Sequence, residues 1–192
     1  MAFTLISSVV AEGGANGITS SSIDTTGSNL TIIAVAGWTT FGTPSDSKSN
    51  TYTALTGETN SSNGKTQLFY CLNPTVGTGH TFTISGSGIY AGLVAAAFSG
   101  AATSSAFDVQ NGTTGGTGTS GQAGSITPSV NGELILYAGP AGNAGSLLSS
   151  VDIGTIIGST TGTAGTDFSI GFAWYEQATA AAINPTLTWN QS

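Results

Sequence analysis

His80 is the only histidine in the chain, so any hydroxyl or thiol nucleophile that needs an imidazole base must use it. It opens the alternating stretch His80-Thr-Phe-Thr-Ile-Ser85, on the same parity as Phe82 and Ile84 and directly after Gly79. That position predicts a rim histidine without a chemical role. The many serines fall in turns and strand edges, and none stands in a Gly-x-Ser-x-Gly elbow between a strand and a helix. Glu133 and Glu176 are the best-placed carboxylates for glycoside hydrolysis, because each flanks an apolar strand. Glu133 follows Gly132 at a strand entry, where a solvated carboxylate is routine; Glu176 shares parity with Phe172 and Trp174 but lies at a strand exit. A hydrolase requires the two to converge in a cleft.

Calcium needs several oxygens from one loop. Asp46-Ser-Lys-Ser-Asn50 offers a carboxylate, hydroxyls and an amide, but Lys48 in its middle opposes a cation, and no Asp-x-Asp-x-Asp-Gly loop occurs. Cys71 is alone, which excludes an intrachain disulfide and a thiolate cluster, and its apolar strand predicts a buried small hydrophobe. Trp38, Tyr52, Tyr70, Tyr90, Trp174, Tyr175 and Trp189 could stack on sugars, although in a fold of this size most should be core or interface aromatics. Asn29-Leu-Thr31, Asn60-Ser-Ser62, Asn111-Gly-Thr113 and Asn190-Gln-Ser192 match the glycosylation sequon, which a chain rich in Ser, Thr and Asn produces by chance. On this reading no residue is assigned as catalytic, cofactor-binding or metal-ligating, and the chain is read as a non-enzyme.

Charge narrows the partners. Lys48 and Lys65 are the only basic residues, against nine carboxylates, for a formal charge of −7. Binding DNA or RNA requires several cations to displace phosphate counterions, so nucleic acid is not an expected partner. Anionic membranes are disfavoured for the same reason. The start Met1-Ala-Phe-Thr-Leu-Ile lacks the basic region of a signal peptide, and the longest apolar run, Ile89 to Phe98, is far short of the roughly 20 residues of a membrane helix. The expectation is a protein made in a cytoplasm without an export signal.

Positioning any of these residues falls to strands. Charged residues are 6 % of the chain while 39 % are hydrophobic, a balance that folds rather than remaining disordered. Leu30 to Trp38 and Ile89 to Ser99 are apolar on both parities, as in strands covered on both faces. Gln67–Leu72 lies between them, and Leu134–Leu136 is expected with them in central strands. Further strands are expected at 3–10, 18–24, 50–55, 80–85, 153–158, 168–175 and 185–189. Ser125–Val130 and Glu133–Ala138 flank Asn131-Gly132, a strong hairpin signal, with Pro128 confining the first strand to an edge. One helical turn fits Ala178–Ala182. The Gly/Thr/Ser tract Asn111–Gly124 reads as a long exposed loop within one domain spanning residues 1–192. About ten short strands with Gly-rich turns predict an all-β fold: a two-sheet antiparallel β-sandwich, jelly-roll-like.

Several segments together resemble a family of β-sandwich domains found in tailed-phage virion proteins and bacterial surface proteins. They are Ser28–Val35, Asp46-Ser-Lys-Ser-Asn-Thr-Tyr-Thr53, Leu68–Asn73 with Gly79–Ile84, Ala97–Gly100 with Phe107-Asp108, and Gly132–Leu136. Where the family tends to read Asp-Ser-x-Gly-Asn-Thr-Tyr, this chain has Ser49 in place of Gly, so the turn there can differ. The resemblance implies a structural virion protein of a tailed bacteriophage: a capsid decoration, head-fibre or tail-associated subunit. It would act through contacts with other virion proteins. Strands that are Thr/Ser-faced and almost without charge lack the Lys and Pro guards of monomeric sheet edges, which predicts a homo-oligomer such as a trimer. The competing reading is a soluble monomer whose edges are covered by loops such as Asn111–Gly124. The alternative is a carbohydrate-binding or adhesin module, favoured if exposed Trp or Tyr line a groove; a glycoside hydrolase built on Glu133 and Glu176 comes third.

Overall fold

The structure, a computed structural model, describes residues 2–39, 41–59, 64–115, 118–142, 145–163, 166 and 168–191. Among them there is no helix, and every strand pairing is antiparallel. The turn expected at Ala178–Ala182 is irregular chain instead.

The strands divide among four hydrogen-bonded sheets rather than two. The largest has the order β1 (Thr4–Glu12), β9 (Gly92–Ser99), β3 (Leu30–Gly37), β7 (Lys65–Leu72) and β5 (Thr53–Ala54), with β6 (Glu58–Thr59) also on β7. On one side of it lies the small sheet β2 (Gly17–Thr19), β8 (Phe82–Ser85), β4 (Ser45–Asp46). On the other lies β11 (Glu133–Ala141), β14 (Ser169–Gln177), β13 (Thr155–Ser159), which is covered in turn by β10 (Ser120–Gln122), β15 (Thr186–Trp189), β12 (Leu148–Val151).

Three apolar layers hold the stack. Ile33, Val35, Phe69 and Leu93 of the large sheet meet Ile18, Phe82 and Ile84. The opposite face, through Ile32, Ala34, Val94 and Phe98, meets Ile170 and Phe172. Ile135, Tyr137 and Ala173 then meet Leu148, Leu187 and Trp189. Because β3 and β9 feed two layers at once, all of β3 and all of β9 up to Phe98 are buried. This is the physical reason for their apolar runs on both parities. Each fully buried Phe stabilises the fold by about 1.5–3 kcal/mol in transfer terms.

Some expectations are corrected. Asn131-Gly132 does not close a hairpin: residues 125–130 form no strand beyond an isolated bridge between Ile126 and Ile183. Instead Gly132 N–H donates to Gln177 O at 2.9 Å, and Asn131 Oδ1 accepts Ala180 N–H at 2.7 Å, so this turn is tied to the far end of β14. β11 is an edge strand, not a central one, although both its faces are packed. The tract 111–124 is largely exposed, as expected, but contains β10, which pairs with β15.

Candidate functional site

Asp46, His80 and Thr25 come from three distant segments that topology brings together. β4 lies beside β8 with Asp46 opposite Phe82, and Ile23 forms an antiparallel bridge with His80. The expectation of a rim histidine is wrong: His80 is 0 % exposed, stacked on Phe82 with ring centroids 4.4 Å apart. Burial is possible because both ring nitrogens have polar neighbours. Thr25 Oγ1 lies 2.9 Å from Nδ1, and Asp46 Oδ2 lies 2.9 Å from Nε2.

Asp46 is the hub. Its Oδ1 accepts the backbone N–H groups of Lys48 (2.9 Å) and Asn50 (3.0 Å); its Oδ2 accepts Asn50 Nδ2 (2.8 Å) and Tyr52 Oη–H (2.7 Å). Burial raises the carboxyl pKa, but the hydrogen bonds from Asn50 and Tyr52, with His80, outweigh it and hold it at about 2. Burial pushes the Tyr52 phenol up, and the adjacent Asp46 charge adds to that. The loop once considered for calcium is therefore a turn folded inward onto its own carboxylate, with every Asp46 oxygen facing hydrogen-bond donors. Lys48 Nζ spans outward to Thr78 O at 2.9 Å. Ser49 sits at φ +62°, a left-handed conformation that glycine adopts more freely than serine. Among the described residues no three His, Cys, Asp or Glu side chains are grouped to hold a metal.

A hydroxyl, an imidazole and a carboxylate in one line are the parts of a nucleophilic triad. Here Thr25 is fully buried, and its oxygen also accepts Gly77 N–H at 3.1 Å. No substrate carbonyl can reach it. The assembly acts as a polar rivet joining residues 23–25, 46–52 and 77–80.

The other singled-out residues separate. Leu134 pairs with Glu176 across β11 and β14, and Glu133 with Gln177, so the two glutamates project from opposite faces of that sheet. They cannot flank one glycosidic bond. Glu176 accepts Phe3 N–H at 3.0 Å. Glu133 lies instead beside Asp108: burial and then the Asp108 charge raise its pKa, while hydrogen bonds from Ser129 lower that of Asp108. Cys71 is buried in the first apolar layer, as expected. Asn29 is locked to Ala101 through both ends of its amide, Asn111 donates to Ser125 O and Asn190 accepts Leu147 N–H; residues 60–63 and 192 lie outside the described residues.

Most aromatics are core, Tyr52 and Trp189 among them, but Trp38 is 44 % exposed. It leans on Phe168 at the edge of an open cleft that runs between β7, β11 and the 101–113 segment and on to β10 and β15, about 1230 Å³ in all. Sequence reasoning had no means of finding this cleft, because it forms where the β7 side of the six-stranded sheet meets a sheet of only three strands. Phe107 stacks on Tyr70 in the same cleft, with ring centroids 6.4 Å apart. The 101–113 wall is pinned by Asn73 Nδ2 to Thr103 O (2.8 Å), Ser129 N–H to Asp108 Oδ2 (2.7 Å) and Thr56 N–H to Gln110 Oε1 (3.2 Å). Compared with protein-family models, with curated proteins and with solved structures, the chain matches none.

Proposed function

We propose that this chain is a structural virion protein of a tailed bacteriophage, a capsid decoration, head-fibre or tail-associated subunit that works through protein–protein contacts. The family resemblance supports the reading, and Ser49 stands in a left-handed conformation that a glycine, the residue the family's motif tends to carry there, adopts freely. In this reading the four sheets form one domain, a sandwich of jelly-roll type extended by an extra layer on each side.

One structural observation carries the proposal. β1 is the terminal strand of the largest sheet, and among the described residues no strand pairs with its outer edge. It exposes Ile6 (38 %) and Val10 (44 %), and Glu12 is its only charged residue. Monomeric sheets guard such edges with Lys, Pro or inward charges. An unguarded apolar edge is tolerated when another subunit covers it, and closed symmetry, such as that of a trimer, then prevents open-ended growth. The partners are further copies of the chain and other virion proteins. Mass spectrometry and immunogold labelling of purified particles test this: the chain should be present in fixed ratio to the major capsid or tail protein. Its absence from particles of the phage that encodes it would refute the proposal.

A further inference from the structure

We propose that the cleft beside β7 is a binding groove for a neutral oligosaccharide. Its two ends carry exposed aromatic faces: Trp38 against Phe168 at one, and Phe107, 46 % exposed, on Tyr70 at the other. In the β3–β7 register Ile32 pairs with Tyr70 and Trp38 follows Gly37, the partner of Lys65, so the two platforms are six residues apart along the strand, about 20 Å. That span takes several linked sugar rings, each offering an apolar ring face and a rim of hydroxyls.

Charge selects the ligand class. No Lys or Arg lines the groove, whereas Glu58, Asp108 and Glu133 do. Lys65 lies on the opposite face of β7, its ammonium over the Phe41 ring at 5.4 Å. Phosphates, carboxylates and nucleic acids are therefore repelled. Two of the carboxylates already accept backbone N–H groups, Asp108 from Ser129 and Glu133 from Val130, so they are partly satisfied as counter-charges for a cation. The remaining polar groups are hydroxyls and amides, which both donate and accept, as sugar hydroxyls require. Gln110 binds the loop through Oε1, leaving Nε2 for a ligand, and Asn111 binds it through Nδ2, leaving Oδ1. The wall bearing these amides is already pinned, so little ordering opposes binding. The groove stands independently of where the protein resides.

Calorimetric titration with cellohexaose, maltohexaose, mannohexaose and N-acetyl-chitohexaose, alongside spermine and polygalacturonate, tests the assignment. At least one neutral hexasaccharide should bind saturably, and neither charged probe should. Trp38→Ala and Phe107→Ala should each weaken binding about tenfold, while Trp38→Tyr retains most of it. Both rings are nearly half exposed, so the variants should melt only a few degrees below the parent, which separates a lost platform from a lost fold. The proposal fails if none of the four sugars binds, if spermine binds in their place, or if Trp38→Ala and Phe107→Ala leave the affinity unchanged.

Discussion

Replacing Asp46 by Asn keeps the shape of the hub and removes its charge. The carboxylate faces Lys48 N–H, Asn50 N–H, Asn50 Nδ2, Tyr52 Oη–H and His80 Nε2 within 3.0 Å, and its side chain is fully buried. An amide presents an NH2 group to some of these donors, leaving buried N–H or O–H groups without acceptors. Hydrogen bonds to charged groups are worth about 1.5–3 kcal/mol each and are not additive, so the net loss expected at pH 7 is about 3 kcal/mol. Urea titration should show this as a lower midpoint at unchanged slope. The pH dependence gives a second, independent reading. The carboxyl pKa falls from 3.8 to about 2 on folding. A depressed carboxylate contributes stability that is present above pH 3.8 and is lost as pH falls through the folded value. The shift amounts to about 2 kcal/mol at about 1.4 kcal/mol per unit. The stability gap between parent and Asp46→Asn should therefore narrow by about 2 kcal/mol between pH 5 and pH 2, the other carboxylates cancelling in the difference. A variant within about 0.5 kcal/mol of the parent at pH 7, or a gap that does not change with pH, would refute the hub.

Two further substitutions probe the backbone. Ser49→Gly relieves the left-handed residue at φ +62° and should raise stability by about 0.5–1 kcal/mol, read as a higher urea midpoint. Gly92→Ala puts a Cβ 2.5 Å from Phe168 O and 2.7 Å from Thr160 Oγ1, where β9 and the start of β14 touch; a loss of about 2–4 kcal/mol should appear as a lower melting temperature.

The strands that build two layers were the legible ones. Leu30–Gly37 and Gly92–Phe98 announce themselves because neither parity can be polar when both faces are covered. β12 was missed because Ser149 and Ser150 face solvent and only Leu148 is buried, so the segment carries no period. β10 hid in a Gly/Ser tract for the same reason. The Asn-Gly signal at 131–132 misled because local turn chemistry was overridden by the bonds to Gln177 and Ala180. His80 was misplaced because its burial depends on Asp46 and Thr25, which only the fold brings near. The cleft left no trace in the sequence, since Trp38 reads there as the end of a buried strand.

The central proposal is that the chain works by assembling through the weakly charged edge of β1. Multi-angle light scattering on the purified protein, with Val10→Lys as comparison, tests it most directly. The account predicts a single closed oligomer, an integral multiple of the 18.9 kDa chain, which Val10→Lys converts toward monomer while its far-UV circular dichroism stays that of the parent. A parent protein that stays at 18.9 kDa at high concentration, and binds none of the capsid or tail proteins encoded with it, would contradict the claim.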